Sequence, residues 1–302
     1  MKQKVLIFGA GGMLGRELVR AFAGDAYEVT APSHDEADIT DHRSVSRIIH
    51  DTQPEIVLNA AVLVNVDQCE AEPARAYAIN ADGPVFIAKT LRTQGHNNML
   101  FVHFSSSDVF GGTIDSAPTE DEEKFSPMNV YGRSKQQAEV GVRKLLENGP
   151  IPFYIIRSSW IFSEFKKTFV DGIAEHVLKP KGVLPVANDQ RGIPTWGKDI
   201  ARVTRQLIEE RSPAGVYHVV EGTDGTAPTR FEVAEEIAKI LDRDSKHLFA
   251  KASRKEVFKA PRPASSALTN TKLPKLPHWK DVLRTFLTEK YLQGSASGRI
   301  HA

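Results

Sequence analysis

Two residues with complementary proton chemistry, Tyr131 and Lys135, stand four positions apart in this chain. Four residues make about one helical turn, so both side chains lie on the same face of a helix. An ammonium group beside a phenol lowers the phenol pKa, which is otherwise near 10 and too high for acid/base catalysis at neutral pH. The pair predicts a general acid/base, although the same spacing also fits an incidental pair on a solvated helix.

Three consecutive serines, Ser105 to Ser107, end an apolar run that begins at Leu100. If the run is a strand of a parallel sheet, the hydroxyls lie at the carboxyl edge, where such folds bind ligands. A hydroxyl at that edge could hydrogen-bond the same substrate carbonyl oxygen as Tyr131 and stabilise negative charge on it. The serines could also be no more than a polar strand exit.

A glycine-rich turn, Gly9-Ala10-Gly11-Gly12-Met13-Leu14-Gly15, follows the first apolar run and precedes a helical segment. Gly9 and Gly12 would let the backbone approach a pyrophosphate, Gly15 would let helix and strand pack closely, and the helix N-terminus would offer free N–H groups. The alternative is a glycine-rich turn without a ligand. The strand before it and the helix after it favour a dinucleotide site, and the spacing differs from G-x-G-x-x-G.

The second apolar run is followed by Ala31-Pro32-Ser33-His34, with Asp35 just beyond, rather than by an immediate acidic residue. An acid there would contact the ribose hydroxyls of NADH and repel the 2′-phosphate of NADPH. The sequence therefore favours NADPH over NADH without excluding the latter. Asp38-Ile39 could reach the adenine, or the segment through Asp41 could simply cap the next helix.

Short apolar runs alternate with segments of helical periodicity, which predicts an α/β fold with a Rossmann-type doubly wound parallel sheet. The predicted strands are Val5–Phe8, Glu28–Ala31, Ile56–Asn59, Leu100–Ser105, Phe153–Arg157 and Gly215–Val220, and the predicted helices are Met13–Ala23, Arg43–Asp51, Pro73–Thr93, Val130–Leu146, Ile200–Glu210 and Phe231–Leu241. Residues 1–159 and about 197–222 form the predicted dinucleotide-binding core. Residues of about 160–196 and 223–293 form a smaller C-terminal substrate-binding lobe, and 294–302 read as a linker tail.

Composition narrows the possible partners. Among 302 residues, 39 basic and 38 acidic side chains give a net charge of +1, which provides no field for nucleic acid or an anionic membrane. The single cysteine, Cys69, cannot form an internal disulfide or a thiolate zinc site, and the histidines lack paired ligand spacing. No apolar run approaches the roughly 20 residues of a membrane-spanning helix. We expect a cytoplasmic protein with a small-molecule substrate and no bound metal.

The glycine turn, the strand-end hydroxyl and Tyr-x-x-x-Lys, in this order, resemble the extended short-chain dehydrogenase/reductase family. Within that family the chain is most similar to the dTDP-4-dehydrorhamnose reductases. The segments that carry this similarity are Asn59-Ala60-Ala61, Val66-Asp67-Gln68-Cys69-Glu70, Asn80-Ala81, Val109-Phe110, Arg157-Ser158-Ser159-Trp160, Asp189-Gln190-Arg191-Gly192-Ile193-Pro194-Thr195 and Arg262-Pro263-Ala264-Ser265-Ser266.

The resemblance implies reduction of the C4 keto group of a nucleotide-activated 6-deoxyhexulose by NADPH or NADH in a homodimer. It implies Ser106, Tyr131 and Lys135 as catalytic residues, with Tyr131 donating the proton. The implied cofactor contacts are Gly9, Gly12, Met13, Leu14, Gly15, Ser33, His34, Asp38, Ile39, Ala60, Ala61, Val62, Val64, Phe104, Tyr131 and Lys135. The implied substrate contacts are Ser106, Ser107, Asp108, Trp160 and Arg262.

Two of these residues have plainer interpretations. Trp160 could be a core aromatic side chain rather than a wall of the sugar pocket. Arg262 could contact the pyrophosphate or nucleotide, but it follows basic residues from Lys246 to Lys259 that alternate with apolar ones, like a solvated helix face.

The chain also departs from the family pattern. Ser107-Asp108 stand where the family has Asp-Tyr, and Leu63-Val64 replace an aromatic-threonine pair. Asp108 raises a second possibility, since sugar 4,6-dehydratases of the same superfamily carry an Asp-Glu pair there. With one acid missing, an epimerase remains the enzymatic alternative. A regulatory nucleotide-binding subunit is a further one, although it predicts a broken Ser/Tyr/Lys set.

Overall fold

A six-stranded parallel sheet forms the centre of the computed structural model, which describes residues 2–94, 99–112 and 117–292. The strands of this sheet are β1 (Gln3–Phe8), β2 (Tyr27–Thr30), β3 (Ile56–Asn59), β4 (Leu100–Ser106), β5 (Phe153–Ser158) and β10 (Gly215–His218), numbered in chain order among twelve described strands. They lie in the order β2-β1-β3-β4-β5-β10. The order reverses between β1 and β3, and ligands of such sheets bind at the carboxyl ends of the strands beside this reversal. The predicted α/β fold with a doubly wound parallel sheet is confirmed.

The elements have the following bounds. The strands are β1 Gln3–Phe8, β2 Tyr27–Thr30, β3 Ile56–Asn59, β4 Leu100–Ser106, β5 Phe153–Ser158, β6 Ile161–Phe162, β7 Leu184–Ala187, β8 Arg191–Gly192, β9 Thr195–Trp196, β10 Gly215–His218, β11 Phe249–Ala252 and β12 Ser265–Ser266. The α-helices are α1 Met13–Ala21, α2 His42–Thr52, α3 Val66–Ala71, α4 Pro73–Tyr77, α5 Gly83–Gln94, α6 Val130–Leu146, α7 Phe169–Leu178, α8 Gly197–Glu209, α9 Arg230–Ile240, α10 Arg254–Val257 and α11 Trp279–Leu287.

Apolar side chains on the two faces of the sheet pack against different helices. Val5, Ile7 and Val102 lie on the face covered by α1 and α8, and Leu6 and Phe101 lie on the opposite face, beneath α2, α5 and α6. Alternate residues of a strand point to opposite faces, and strands covered on both faces are apolar almost throughout. This explains the uninterrupted apolar runs at Val5–Phe8 and Ile56–Leu58.

A separate apolar cluster gathers residues mainly from the C-terminal half, together with Val109 and Phe110. Phe162, Trp196, Phe231 and Phe286 belong to it, together with helices α7, α9 and α11. Three two-stranded parallel pairs, β6 with β9, β7 with β11 and β8 with β12, connect segments that are distant in sequence. These segments fall largely within the ranges expected for a smaller lobe, while the division into two domains stays a prediction.

Two sequence expectations differ from the structure. The basic segment from Lys246 to Lys259 is not one helix face: it contains strand β11 and the four-residue helix α10. The predicted helix Pro73–Thr93 is interrupted by a π-helical turn at Ala78–Asp82. In that turn Asn80 is fully buried and its side chain bonds Leu63 and Ser134, so tertiary contacts override the local helical pattern. The proposed tail 294–302 lies outside the described residues.

No helix in the described part of the chain combines the length and the apolar character needed to cross a membrane.

Candidate active site

The glycine turn joins β1 to α1 at the switch point of the sheet. Gly9 has φ +76°, a left-handed conformation that favours glycine, and a Cβ there would overlap the backbone of Ala61. A Cβ on Gly15 would overlap the carbonyl oxygen of Gly9. Gly12 is the N-cap of α1 and makes no side-chain capping bond. The first N–H groups of α1 are therefore available to an anion, which is what a dinucleotide pyrophosphate requires.

The predicted cofactor contacts around the glycine turn differ in exposure. Ala60, Ala61, Val62 and Val64 follow β3 beside the glycine turn, and Val62 and Val64 are exposed. Met13 is half-buried at the start of α1. The side chains of Leu14 and Phe104 are buried in the core cluster beneath α1 and α8. Cofactor contact by these two side chains stays a prediction.

The loop after β2 is organised by its own side chains. Glu36 accepts hydrogen bonds from the backbone N–H and the hydroxyl of Ser33, both at 2.8 Å. Asp38 accepts from the N–H and hydroxyl of Thr40, and Asp41 caps α2 by accepting from Arg43 N–H at 2.9 Å. The capping interpretation of this segment is thus confirmed for Asp41. His34 is exposed.

Ile39 supports the fold beside this loop. It is 5% exposed, and its side chain lies where a Cβ on Gly83 would come within 2.7 Å. Ile39 therefore packs in the core, against the helix α5 that Gly83 begins.

Strand β4 delivers the serines to the carboxyl edge of the sheet. Ser106 ends the strand, and its hydroxyl oxygen accepts a hydrogen bond from Asp108 N–H at 3.2 Å. Ser107 is buried and begins a short 3₁₀ turn. Asp108 is held in a site where burial raises its pKa, opposed by a hydrogen bond from Asn129 and by the charges of Arg262 and Arg230.

Helix α6 begins at this edge because two side chains cap it. Asn129 accepts a hydrogen bond from Gly132 N–H at 2.7 Å, and Glu70 accepts from Val130 N–H at 2.6 Å. The Asn129 amide also donates to the carbonyl of Pro261 at 3.0 Å. Capping satisfies N–H groups that the helix leaves free. The three bonds fix the first turn of α6, and with it Tyr131, against α3 and the C-terminal segment.

The phenol of Tyr131 lies in a polar but poorly solvated position. Burial raises its pKa, the charge of Asp108 raises it further, and a hydrogen bond with Ser106 acts in the opposite direction. Lys135 Nζ does not contact the phenol: it donates to the carbonyl of Phe104 at 2.5 Å and lies 3.3 Å from His103 Nε2. The expectation that Lys135 lowers the phenol pKa was therefore wrong: the pKa is raised, chiefly by burial, and Lys135 is not among the groups that shift it.

Lys135 is itself almost fully buried, with 1% exposure. Burial lowers its pKa to about 8, and the charge of Glu139, one turn further along α6, opposes this shift. Glu139 is bound instead by Arg157 of β5, with an Nη2–Oε2 distance of 2.6 Å, and by the Ser105 hydroxyl at 2.5 Å. The carboxylate is thus already neutralised by a guanidinium.

The side chain of Arg262 connects the C-terminal segment to helix α3 of the N-terminal half. It pairs with Asp67 of α3 at 3.1 Å, and the same carboxylate oxygen accepts from Ala260 N–H at 3.0 Å. Its Nη1 is buried and lacks a hydrogen-bond partner among the described residues. Arg262 therefore retains a free donor close enough to Asp108 for their charges to interact, as a residue that contacts an anionic ligand needs.

Trp160 forms a wall whose two faces are both occupied. Its φ is +40°, and a Cβ on Gly192 would overlap the indole, so glycine lets the ring lie against the backbone. The Arg230 guanidinium lies 4.3 Å from the indole centroid and is fixed by a 2.7 Å bond from Nε to Gln190 Oε1. Trp160 is half-buried against the C-terminal cluster, as a core aromatic side chain would be, and its place in a sugar pocket stays a prediction.

Arg230 is a site candidate that the sequence did not indicate. It contacts the rings of Trp160, Phe169 and Phe258, and its pKa is lowered to about 10 by burial and by the charge of Arg262. His103 and Glu139 were also missed. Only Glu139 carried a signal, since it lies four residues after Lys135 on the same predicted helix face. The contacts of Arg230 and His103 come from segments far apart in sequence.

The chain matches the family model described as "RmlD substrate binding domain" over residues 3–292. It is 34% identical over 284 residues to the probable dTDP-4,6-dihydroxy-2-methyloxan-3-one 4-ketoreductase of Streptomyces antibioticus, covering 92% of each chain. It is 32% identical to dTDP-4-dehydrorhamnose reductase of Streptomyces griseus, covering 95% of this chain and 92% of that one. It is also similar to the structure of dTDP-4-dehydrorhamnose reductase from Bacillus anthracis in complex with NADP. That similarity has a TM-score of 0.87 and 28% identity, and covers 96% of this chain and 100% of that one.

Proposed function

The chain belongs to the RmlD substrate-binding domain family, and from this premise we propose that it reduces the C4 keto group of a dTDP-activated 4-keto-6-deoxyhexose with NADPH. NADH is the alternative donor. The observation that carries the proposal is the placement of Ser106, at the end of β4, and Tyr131, in the first turn of α6, at the carboxyl edge of the sheet, with Lys135 one helical turn further on.

The glycine turn fits the cofactor. The uncapped start of α1 and the close approach permitted by Gly9 and Gly15 suit a pyrophosphate. When bound, the nicotinamide supplies the hydride that reduces C4. We propose Ala60, Ala61, Val62 and Val64 as the further wall of this site, and Ser33, His34 and Asp38 near the adenosine.

In the proposed mechanism Tyr131 is the general acid. Its raised pKa keeps the phenol protonated at neutral pH, which is the form that can give a proton to the C4 oxygen. Ser106 donates a hydrogen bond to the same oxygen as negative charge develops there. One hydride on C4 and one proton on the oxygen convert the ketone to a secondary alcohol. Lys135, one turn after Tyr131 on α6, is proposed to orient the ribose of the nicotinamide.

Substrate contacts follow from the same edge. We propose that Ser107, Asp108 and Trp160 border the sugar and that Arg262, with its unpartnered Nη1, binds the diphosphate. The segments 160–196 and 223–292 then form the substrate-binding lobe. Asp108 stands where the family has tyrosine, so we expect a sugar that differs from the rhamnose precursor near this residue.

Two further proposals concern the compartment and the oligomeric state of the protein. We propose that the protein acts in the cytoplasm as a homodimer. A reducing compartment agrees with the single buried thiol of Cys69, whose pKa burial raises to about 11 and which is therefore unreactive. The dimer rests on the family resemblance, and light scattering of the purified protein measures it directly.

The test of the activity uses purified protein, NADPH and a panel of nucleotide 4-keto-6-deoxysugars, with the absorbance of the reduced nicotinamide as the readout. Tyr131→Phe should lower kcat by at least about 10²-fold, with little change in NADPH affinity, because the phenol acts in the transition state. Tyr154→Phe is the matched control, since that buried hydroxyl bonds Ser212 O at 2.7 Å, away from the site. If none of the sugars in the panel causes oxidation of NADPH, the proposal is contradicted. If Tyr131→Phe still turns over, Tyr131 is not the proton donor.

A further inference from the structure

A row of buried polar side chains behind Lys135 has no part in the proposed reaction. Strands β3 and β4 pair so that Asn59 lies directly opposite His103. Paired residues of neighbouring strands point to the same face of a sheet, and Lys135 reaches this face from α6. The exposed fractions of the three side chains are 1%, 0% and 1%. Water therefore contributes little to satisfying their hydrogen bonds.

The orientation of the Asn59 amide is fixed locally. Its Oδ1 accepts a hydrogen bond from Ala61 N–H at 3.2 Å, and this leaves Nδ2 facing His103 Nδ1 at 3.4 Å. An amide nitrogen can only donate. His103 Nδ1 must then be the acceptor, and the single hydrogen of the neutral imidazole is on Nε2.

His103 is neutral at physiological pH, since burial and the charge of Lys135 hold its pKa well below the usual value. Its Nε2–H group points to Lys135 Nζ across 3.3 Å. An ammonium group has only hydrogens to offer, so two donors face each other when Lys135 is charged. A neutral amine has a lone pair and accepts the Nε2 hydrogen. Protonation of Lys135 thus breaks a buried hydrogen bond.

We propose that Asn59 and His103 are positioning residues: Asn59 fixes the Nε2–H tautomer of His103, and this N–H group favours the neutral amine of Lys135. Among the described residues, the charge that acts on Lys135 is that of Glu139 on the same helix, which favours the ammonium form. Arg157 of β5 already binds that carboxylate and weakens its effect. Burial acts in the same direction as His103, and the pKa of Lys135 is lowered to about 8.

This arrangement has a use in the cycle, in a step that rests on the proposed function. Each turnover leaves Tyr131 as a phenolate, which needs a proton before the next substrate binds. Lys135 lies one turn away and exchanges a proton near neutral pH, whereas an ordinary lysine holds its proton up to about pH 10. A lysine that exchanges its proton near neutral pH therefore serves as a proton reservoir on this side of the site: on releasing its proton it becomes the amine that accepts the His103 N–H, and solvent later returns the proton.

The tautomer is tested first in the unaltered protein. Nitrogen NMR of the protein labelled with ¹⁵N-histidine distinguishes a protonated ring nitrogen from an unprotonated one, and the His103 signals are identified by their loss in His103→Leu. We expect Nδ1 without and Nε2 with a hydrogen at neutral pH. Hydrogen on Nδ1, or an imidazolium, would overturn the inference without any variant having to fold.

The effect on Lys135 is tested with Asn59→Ser. A serine hydroxyl can keep the hydrogen bond from the N–H two residues on but is too short to reach His103, so the imidazole can change tautomer and accept from the ammonium. We expect the Lys135 pKa, followed by NMR of ¹³Cε-labelled lysine and assigned with Lys135→Arg, to rise by about one unit, a tenfold change in proton affinity.

The control is the same substitution in a His103→Leu background, where no imidazole can change tautomer and Asn59→Ser should leave the Lys135 titration unchanged. An equal shift in both backgrounds, or no shift in the first, would overturn the inference. These titrations need no substrate. They hold or fail separately from the reductase assay, in which the alkaline limb of kcat should move with the Lys135 pKa.

Discussion

Removing one partner of the buried ion pair between Glu139 and Arg157 should lower the free energy of unfolding strongly. Both side chains are 1% exposed, and they share hydrogen bonds of 2.6, 3.0 and 3.2 Å. The Arg157 guanidinium also lies 4.9 Å from the ring centroid of Phe110. In Glu139→Gln the guanidinium stays buried without its counter-charge. Removing one partner of such a pair costs about 3–5 kcal/mol.

Urea unfolding at neutral pH measures this loss, and a matched exposed pair provides the scale. Arg205 and Glu209 of α8 are 2.7 Å apart, with side chains 38% and 46% exposed. Glu209→Gln should cost about 0.2–1 kcal/mol. The double variant Glu139→Leu/Arg157→Met should recover most of the loss, since apolar replacement of a buried pair is often neutral. If Glu139→Gln costs no more than Glu209→Gln, the assignment of this pair as a buried, mutually dependent unit is refuted.

Two further predictions concern the glycine turn and a buried acid. Gly15→Ala should destabilise the protein, measured without cofactor, by about 1–3 kcal/mol, because the added Cβ overlaps the Gly9 carbonyl. The control is Gly11→Ala, whose Cβ meets nothing within 4 Å and should leave the stability unchanged. Equal melting temperatures of the two variants would contradict this prediction. Glu221 is 2% exposed, and burial raises its pKa from 4.5 to about 8, so its stabilising contribution is complete below about pH 4.5 and is lost as the pH rises to 8. Glu221→Gln should therefore gain stability relative to the unaltered protein between pH 5 and pH 8, by at most about 1.4 kcal/mol per pH unit in urea unfolding, and a pH-independent difference would exclude this.

Local patterns were sufficient for the architecture of the N-terminal half. The apolar runs and the glycine turn predicted β1, α1 and the parallel sheet, because burial of both sheet faces leaves a pattern that neighbouring residues carry. The strands of the C-terminal half could not be predicted as completely from the sequence. Strand β11 pairs with β7, more than 60 residues earlier, and a basic, half-apolar segment gives no local sign of such a partner.

The sequence by itself determined which side chains reach the carboxyl edge of the sheet. Strand ends and helix starts are local features, so the serines 105–107 could be placed near Tyr131 and Lys135 from the sequence pattern, and the family resemblance singled out Ser106. Only the tertiary structure decided the electrostatic state of these groups. The phenol pKa is raised, and Lys135 is held by Phe104 and His103, because desolvation and donor geometry depend on strands that pair in space. Arg230 shows the same limit, since its aromatic neighbours Trp160, Phe169 and Phe258 converge only in the folded chain.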